Sequence, residues 1–221
     1  MNLLDDEHKL NFLDNCFDDD FCTGEHFAVL RALAYDADPY VRSQVACAAV
    51  NFINPGTKEL LLQLTRDEDP LVRAEAYDSL SLFPYDDVEK CLLDAIEEEW
   101  DPIARSYAIF SWADITVALC RNGNDAAVWI RQRLPREKSE HCRLAFCYAL
   151  HGFGDGAALS DLMAFLRSRD YHIRCAAVST LAELMDENDR ADVERAVKDL
   201  LTRETTKSVK ATVARCFPQL I

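Results

Sequence analysis

The residues whose types are best suited to metal binding are two histidine–cysteine pairs. His141 precedes Cys142, and His172 lies 31 residues after His141, with Cys175 nearby. Imidazole and thiolate groups bind soft metal ions such as zinc. Equivalent positions on adjacent packed helices, however, lie roughly 10 Å apart, which is too far for shared ligation. We therefore interpret them as surface histidines beside core cysteines, and we predict neither a metal nor another cofactor.

Basic residues recur regularly along the chain and form its most regular feature. The steps between them are 31, 32, 38, 31 and 36 residues. No glycine-rich phosphate loop and no Gly-x-Ser-x-Gly nucleophile motif accompanies them. We expect a structural role, in which each cation pairs with an Asp or a carbonyl group of a neighbouring repeat. The six residues are Arg42, Arg73, Arg105, Arg143, Arg174 and Lys210.

The segment before each basic residue predicts the start of a helix. Every such segment opens with Asp, Ser or Thr, whose side chain accepts hydrogen bonds from the free N–H groups of a first helical turn. In three segments Pro follows, at the position where its missing N–H costs nothing. The opening residues are Asp38, Asp69, Asp101, Ser139, Asp170 and Thr206.

Apolar residues follow each basic residue with a helical period. They occur one residue before it and three, seven and ten residues after it, as in Val41, Val45, Ala49 and Phe52. These offsets make a single apolar stripe on each helix. Six helices that bury the same face are typical of a stack of equivalent units.

Shorter amphipathic segments lie between these helices, so each unit is predicted to be a helical pair. We predict one domain over residues 1–221, with an N-terminal cap at 1–24 that contains a helix over about 3–17. The predicted repeats are 25–54, 55–84, 85–122, 123–154, 155–186 and 187–221.

The pattern Asp-Pro-x-Val-Arg with spaced apolar residues resembles HEAT repeats, particularly the short repeats of phycobilisome lyases. This resemblance implies an all-α fold, a right-handed α-α superhelix. Deoxyhypusine hydroxylases share this architecture but bind iron through His-Glu pairs, and this sequence has no His-Glu dipeptide. HEAT-like DNA glycosylases and bilin lyases remain alternatives, the former because Trp, Asp and Arg residues such as Trp100, Trp112, Trp129 and Asp114 are present.

The overall charge favours a protein partner over a polyanion. The formal net charge is −15, and residues 1–38 alone carry ten acidic residues against two basic ones. Such a surface repels nucleic-acid phosphate and anionic lipid and attracts basic partners. The N-terminus lacks the basic start and apolar stretch of a signal peptide. We therefore expect a cytoplasmic, non-catalytic protein that binds neither nucleic acid nor membrane.

The flank opposite the apolar stripe is the predicted partner-binding site. In HEAT-like solenoids this flank tends to be concave and to hold the partner. Here the middle repeats place aromatic and aliphatic residues beside carboxylates, a composition typical of recognition patches. An adaptor that binds a basic and apolar protein segment is the first interpretation, and an acidic inhibitor that neutralises a basic enzyme is the second. The predicted contact residues are Tyr40, Leu71, Glu75, Asp78, Ile103, Tyr107, Phe110, Asp114 and Tyr148.

Overall fold

The structure is a computed structural model that describes residues 6–17, 22–52 and 54–221. Their regular secondary structure consists of α-helices and short 3-10 helices joined by loops, and none of them lies in a β-strand. The chain divides into two compact units, Met1–Arg121 and Asn122–Ile221. Parts of the predicted cap at 1–24 lie outside the described residues. The prediction that 1–221 form a single domain remains a prediction.

The first unit contains the capping helix and three helical pairs. Helices α3, α5 and α7 begin at the predicted Asp-Pro segments and pack side by side, α3 on α5 and α5 on α7. The helices are α1 (Asp6–Asn15), α2 (Gly24–Leu33), α3 (Pro39–Ala49), α4 (Thr57–Leu64), α5 (Pro70–Leu80), α6 (Asp86–Glu98) and α7 (Pro102–Ala118).

The second unit contains three further pairs, in which α11 packs against both α9 and α13. Its 3-10 turns cover Leu134–Arg136, Phe165–Arg167 and Pro218–Leu220. The helices are α8 (Gly123–Arg133), α9 (Glu140–Gly152), α10 (Ala158–Ala164), α11 (Tyr171–Leu184), α12 (Arg190–Arg203) and α13 (Lys207–Cys216). Six pairs after an N-terminal helix confirm the predicted all-α architecture.

Side-chain caps fix the starts of the second helix in most pairs. The carboxylate of Asp69, for example, accepts the amide N–H of Leu71 at 2.8 Å, and that of Asp101 accepts the amides of Ile103 and Ala104 at 2.9 Å. These bonds satisfy donors that a helix cannot satisfy internally. The predicted apolar stripe is buried at its first three positions in all six helices, and at its fourth position it is buried or half-buried.

Buried arginine–carboxylate pairs join successive repeats. Nε and Nη2 of Arg42 donate to the two carboxylate oxygens of Asp67 at 2.8 and 2.7 Å. Its Nη1 donates to the backbone carbonyl of Asp36 at 2.8 Å. One guanidinium group therefore closes its own loop and binds the loop of the next repeat, as the sequence predicts.

The same arrangement recurs at Arg73 with Glu99 and at Arg174 with Glu204, and we call the three pairs the arginine ladder. The Nε–Oε2 distance is 2.6 Å in both. The hydrogen bonds from Arg174 lower the pKa of Glu204 to about 2. In addition, Lys9 of α1 pairs with Asp36 at 2.8 Å, so the capping helix supplies a cation to the first repeat.

We expect Arg73→Met to destabilise the first unit strongly, because it leaves the carboxylate of Glu99 buried without a cation. Breaking a buried pair in this way costs about 3 kcal/mol or more. Arg121→Met is the matched control, since Arg121 forms an exposed pair with Glu89, and it should change stability far less. Urea denaturation measures both. Equal effects of the two variants would show that the ladder does not stabilise the fold.

Candidate functional site

The predicted contact residues of the first unit lie along three neighbouring helices. Tyr40, Leu71 and Ile103 occupy the first turns of α3, α5 and α7, where their side chains are 52%, 49% and 47% exposed. The hydroxyl of Ser79 donates to the carbonyl of Ala46 at 3.0 Å and ties α5 to α3. Three large apolar side chains thus form an exposed row at one end of the packed helices.

Further along α5 and α7 the surface combines carboxylates with aromatic rings. Glu75 is half-buried and Asp78 is exposed, while Tyr107 is 37% exposed on the adjoining helix. Phe110 is half-buried and Asp114 is exposed. Neither aromatic ring belongs to the fully buried core, so both remain accessible to a partner. We call Tyr40, Leu71, Glu75, Asp78, Ile103, Tyr107, Phe110 and Asp114 the acidic patch.

The carboxylates of Glu75 and Asp78 lie close together without a cation. Among the described residues, neither forms an ion pair or hydrogen bond. Neighbouring protein atoms partly desolvate both carboxylates, although Asp78 still reaches solvent, and this desolvation raises the pKa of each; the charge of Asp78 raises the pKa of Glu75 further. Burial and these two carboxylates also raise the pKa of Tyr107 and, on the other side, that of Cys47. Two like charges at i and i+3 on one helix destabilise it, and a cation from a partner would relieve the repulsion.

Tyr148, the ninth predicted contact residue, belongs to the second unit. It is half-buried in α9, and its hydroxyl donates to Oε1 of Glu183 on α11 at 3.2 Å. Its participation in the same binding surface remains a prediction.

The sequence-based prediction of exposed contact residues did not include Trp100 and Tyr35. Trp100 is 74% exposed, and its ring lies 5.5 Å from the guanidinium carbon of Arg73. Tyr35 is 75% exposed and donates to Oε1 of Gln63 at 3.1 Å. Both residues lie in loops, outside the helical offsets used to select the patch. The sequence feature that indicates exposure of Trp100 is its position directly before the Asp-Pro helix start, because a residue at that position lies outside the apolar stripe.

The net charge divides unevenly between the two units. Residues 1–121 carry 25 Asp or Glu against nine Lys or Arg, whereas residues 122–221 carry 14 acidic and 15 basic residues. Several cations of the first unit are already paired, including Lys58 with Asp87 at 2.6 Å. The surplus of negative charge therefore belongs to the unit that carries the acidic patch.

Neither histidine–cysteine pair belongs to a metal-binding cluster among the described residues. The ring of His172 stacks on Tyr171 with centroids 3.8 Å apart, and its Nδ1 lies 3.0 Å from Oδ1 of Asp170. Cys142 is buried. In the part of the chain that the structure describes, no three His, Cys, Asp or Glu side chains are grouped to hold a metal ion. Likewise, no helix within those residues is long and apolar enough to span a bilayer.

We expect Glu75→Gln with Asp78→Asn to stabilise the protein at neutral pH. A folded state that raises a carboxyl pKa binds the proton more tightly than the unfolded state, so stability falls as pH rises from the ordinary carboxyl pKa through the raised one. The double variant should exceed the parent by at least about 0.3 kcal/mol at pH 7, the approximate cost of a like-charged helical pair. The difference should shrink on acidification.

The control is Asp14→Asn with Glu98→Gln, which removes two exposed carboxylates of the same unit. Thermal unfolding at several pH values measures both variants. If the control stabilises the protein as much, the effect comes from net charge alone and not from the pairing of Glu75 with Asp78.

Comparison with known proteins agrees with this architecture. The structure of the complex of CpcE and CpcF of phycocyanin lyase from Nostoc sp. PCC7120 contains a chain that is similar in fold, with a TM-score of 0.60 and 16% sequence identity. The match covers 100% of this chain and 92% of that chain. No curated protein matches the sequence significantly.

The sequence itself carries the family relationship. A family model of HEAT repeats matches residues 27–113 and 127–217. Stacked repeats of this kind expose extended helical surfaces, which suit a role in protein interaction or scaffolding. The match covers most of the chain, and together with the six helical pairs it shows that this protein belongs to the HEAT-repeat family.

Proposed function

We propose that this protein is a non-catalytic binding module whose acidic patch takes a protein segment with Lys or Arg beside apolar side chains. The observation that carries the proposal is the pair of neighbouring carboxylates of Glu75 and Asp78, with which no cation among the described residues pairs. Partial desolvation raises the pKa of both carboxyl groups, so ionising both in the free protein is unfavourable. A cationic side chain placed between them would remove this cost on binding.

The apolar members of the patch supply the second requirement. Leu71 and Ile103 are about half exposed at the ends of α5 and α7, and Tyr107 lies beside the carboxylates. Aromatic and aliphatic anchors provide most of the free energy of binding at interfaces, whereas charges at the rim set orientation and association rate. The patch therefore fits a segment in which basic and apolar residues alternate.

Two further observations support a protein partner. The excess negative charge of residues 1–121 favours encounter with a basic molecule. The similar chain from Nostoc was solved in a complex of two proteins. The same charge also fits an acidic inhibitor of a basic enzyme, which would use the patch in the same way. A cytoplasmic location is part of this proposal.

A short fluorescent peptide that alternates Lys and Leu tests the acidic patch directly. We expect Tyr107→Ala to weaken its binding by about 2 kcal/mol, the loss typical of an interface anchor. Tyr85→Ala is the matched control, because Tyr85 is an exposed tyrosine of the same unit outside the patch. Glu75→Gln with Asp78→Asn should lower the association rate and reduce its dependence on salt.

Fluorescence anisotropy and stopped-flow measurements follow these changes, and far-ultraviolet circular dichroism verifies folding. Equal losses in Tyr107→Ala and Tyr85→Ala would place the binding site elsewhere. If Tyr107→Ala unfolds the chain, the ring belongs to the core. Leu71→Ala then tests the patch, since the side chain of Leu71 is exposed at the start of α5.

A further inference from the structure

The arginine ladder is interrupted at one point in the second unit. Each ladder carboxylate lies six residues before the basic residue of its own repeat, and it pairs with the basic residue of the preceding repeat. In the fifth repeat this position holds Ser168. Arg143 of the fourth repeat is therefore predicted to meet a hydroxyl group where a carboxylate would be expected. The six residues at this position are Asp36, Asp67, Glu99, Glu137, Ser168 and Glu204.

The structure shows Arg143 without the ladder contact. Its side chain is exposed, whereas Arg42 and Arg73 are each only 7% exposed. Its guanidinium carbon lies 5.9 Å from the ring centre of Phe165, and no carboxylate among the described residues pairs with it. In other repeats the corresponding guanidinium group is buried and hydrogen-bonded to a carboxylate, whereas that of Arg143 is open to solvent.

The neighbouring polar groups leave this guanidinium group open. The hydroxyl of Ser168 donates to Oε2 of Glu140 at 2.8 Å and accepts the amide N–H of Asp170 at 3.1 Å. Glu137 accepts the amide of Ser139 at 2.8 Å. Asp170 caps α11 by accepting the amide of His172 at 2.9 Å. Glu137 and Glu140, which lie close to Arg143 along the chain, and Asp170 on the adjacent loop thus already accept hydrogen bonds from local donors.

Exposed basic residues are concentrated around the starts of α9 and α11, in the loops that precede these helices and in the first turn of α9. The loops are adjacent, because Ser168 of one binds the first residue of α9. Within them, Arg167 makes a long contact of 3.5 Å to Asp199. The five cations Arg136, Lys138, Arg143, Arg167 and Arg169 outnumber the three carboxylates of the same two segments, Glu137, Glu140 and Asp170, within a protein of net charge −15. We define the basic edge as Arg136, Lys138, Arg143, Arg167 and Arg169, all of which are exposed.

We propose that the basic edge binds an acidic protein segment. One carboxylate of this segment accepts two hydrogen bonds from the guanidinium group of Arg143, as the carboxylate of Asp67 does from Arg42 within the ladder. The planar guanidinium fork matches a carboxylate through two parallel hydrogen bonds. Tyr171, the first residue of α11, is 38% exposed and stacked on His172, and it offers apolar contact at the start of that helix. The excess negative charge elsewhere on the protein disfavours long polyanions such as nucleic acid and the extended surface of an anionic bilayer.

This surface differs from the acidic patch in both charge and location along the chain. The basic edge belongs to residues 122–221, and the acidic patch belongs to residues 1–121. The protein would then bind a basic segment with one unit and an acidic segment with the other. Such an arrangement suits an adaptor, and each surface can be tested while the other stays intact.

The first test uses a short fluorescent peptide that alternates Glu and Ala and ends in Tyr. Arg143→Gln with Arg169→Gln should weaken its binding about tenfold or more, since hydrogen bonds to charged groups are strong contributors. Lys210→Gln with Arg215→Gln removes the same charge from exposed positions of α13 in the same unit, and it should leave binding unchanged. Equal weakening by both variants would overturn the proposal, because binding would then follow net charge alone.

The second test restores the missing ladder carboxylate. Ser168→Glu with Glu140→Gln keeps the net charge constant. The new carboxylate can accept two hydrogen bonds from the guanidinium group of Arg143 and one from the backbone N–H of Asp170. We expect a higher Tm together with about tenfold weaker peptide binding, whereas Glu140→Gln alone should bind as the parent does. Unchanged peptide binding by the double variant would show that Arg143 is not the anchor.

A third measurement identifies the class of partner. A single-stranded oligonucleotide and vesicles that contain phosphatidylserine replace the peptide at the same salt concentration. We expect both to bind more weakly than the acidic peptide. Tighter binding of either, lost in Arg143→Gln with Arg169→Gln, would overturn the choice of a protein segment as the occupant.

Discussion

The buried contact between an arginine and the carboxylate of the next repeat is the interaction on which the stack depends. The guanidinium groups of Arg42, Arg73 and Arg174 each donate hydrogen bonds to carbonyl groups of their own loop and to a carboxylate of the following repeat. The carboxylate in turn caps the backbone of the loop that starts the next helix, as Glu99 does for Asp101 at 2.9 Å. Local helix capping and the register between repeats are therefore coupled through one side chain, which a purely apolar contact could not achieve.

The same interaction separates structural charges from charges available to a partner. A buried pair whose hydrogen bonds are all satisfied offers nothing to a ligand, and opening it would leave an uncompensated buried charge. The groups left over are of another kind. Glu75 and Asp78 repel each other, and no cation in the described part of the chain pairs with them. Arg143 is exposed at the point where Ser168 replaces the expected carboxylate. Groups of opposite sign are thus unmatched in the two units, and each would be stabilised by an external segment of complementary charge.

Much of the fold follows from local patterns in the sequence. Asp69 and Asp101 predict helix starts because capping acts within one turn, and the stripe that begins with Val41 predicts the buried face because helical period fixes which residues share a side. The candidate site was predictable to the same extent. Offsets opposite the stripe identified Tyr40, Leu71 and Ile103 as exposed, but they gave no indication of Trp100, which lies in a loop where no helical period applies.

By itself, the sequence determined the six helical pairs, the family and the excess negative charge, because all three depend on residue type and short-range spacing. Tertiary structure alone decided which carboxylate each arginine binds, since Asp67 lies 25 residues from Arg42 and Glu204 lies 30 residues from Arg174. It also decided that Tyr107 stays partly exposed beside Glu75 and Asp78, and that the fork of Arg143 remains open. These outcomes depend on how neighbouring helices pack, and packing joins residues whose distance along the chain carries no local signal.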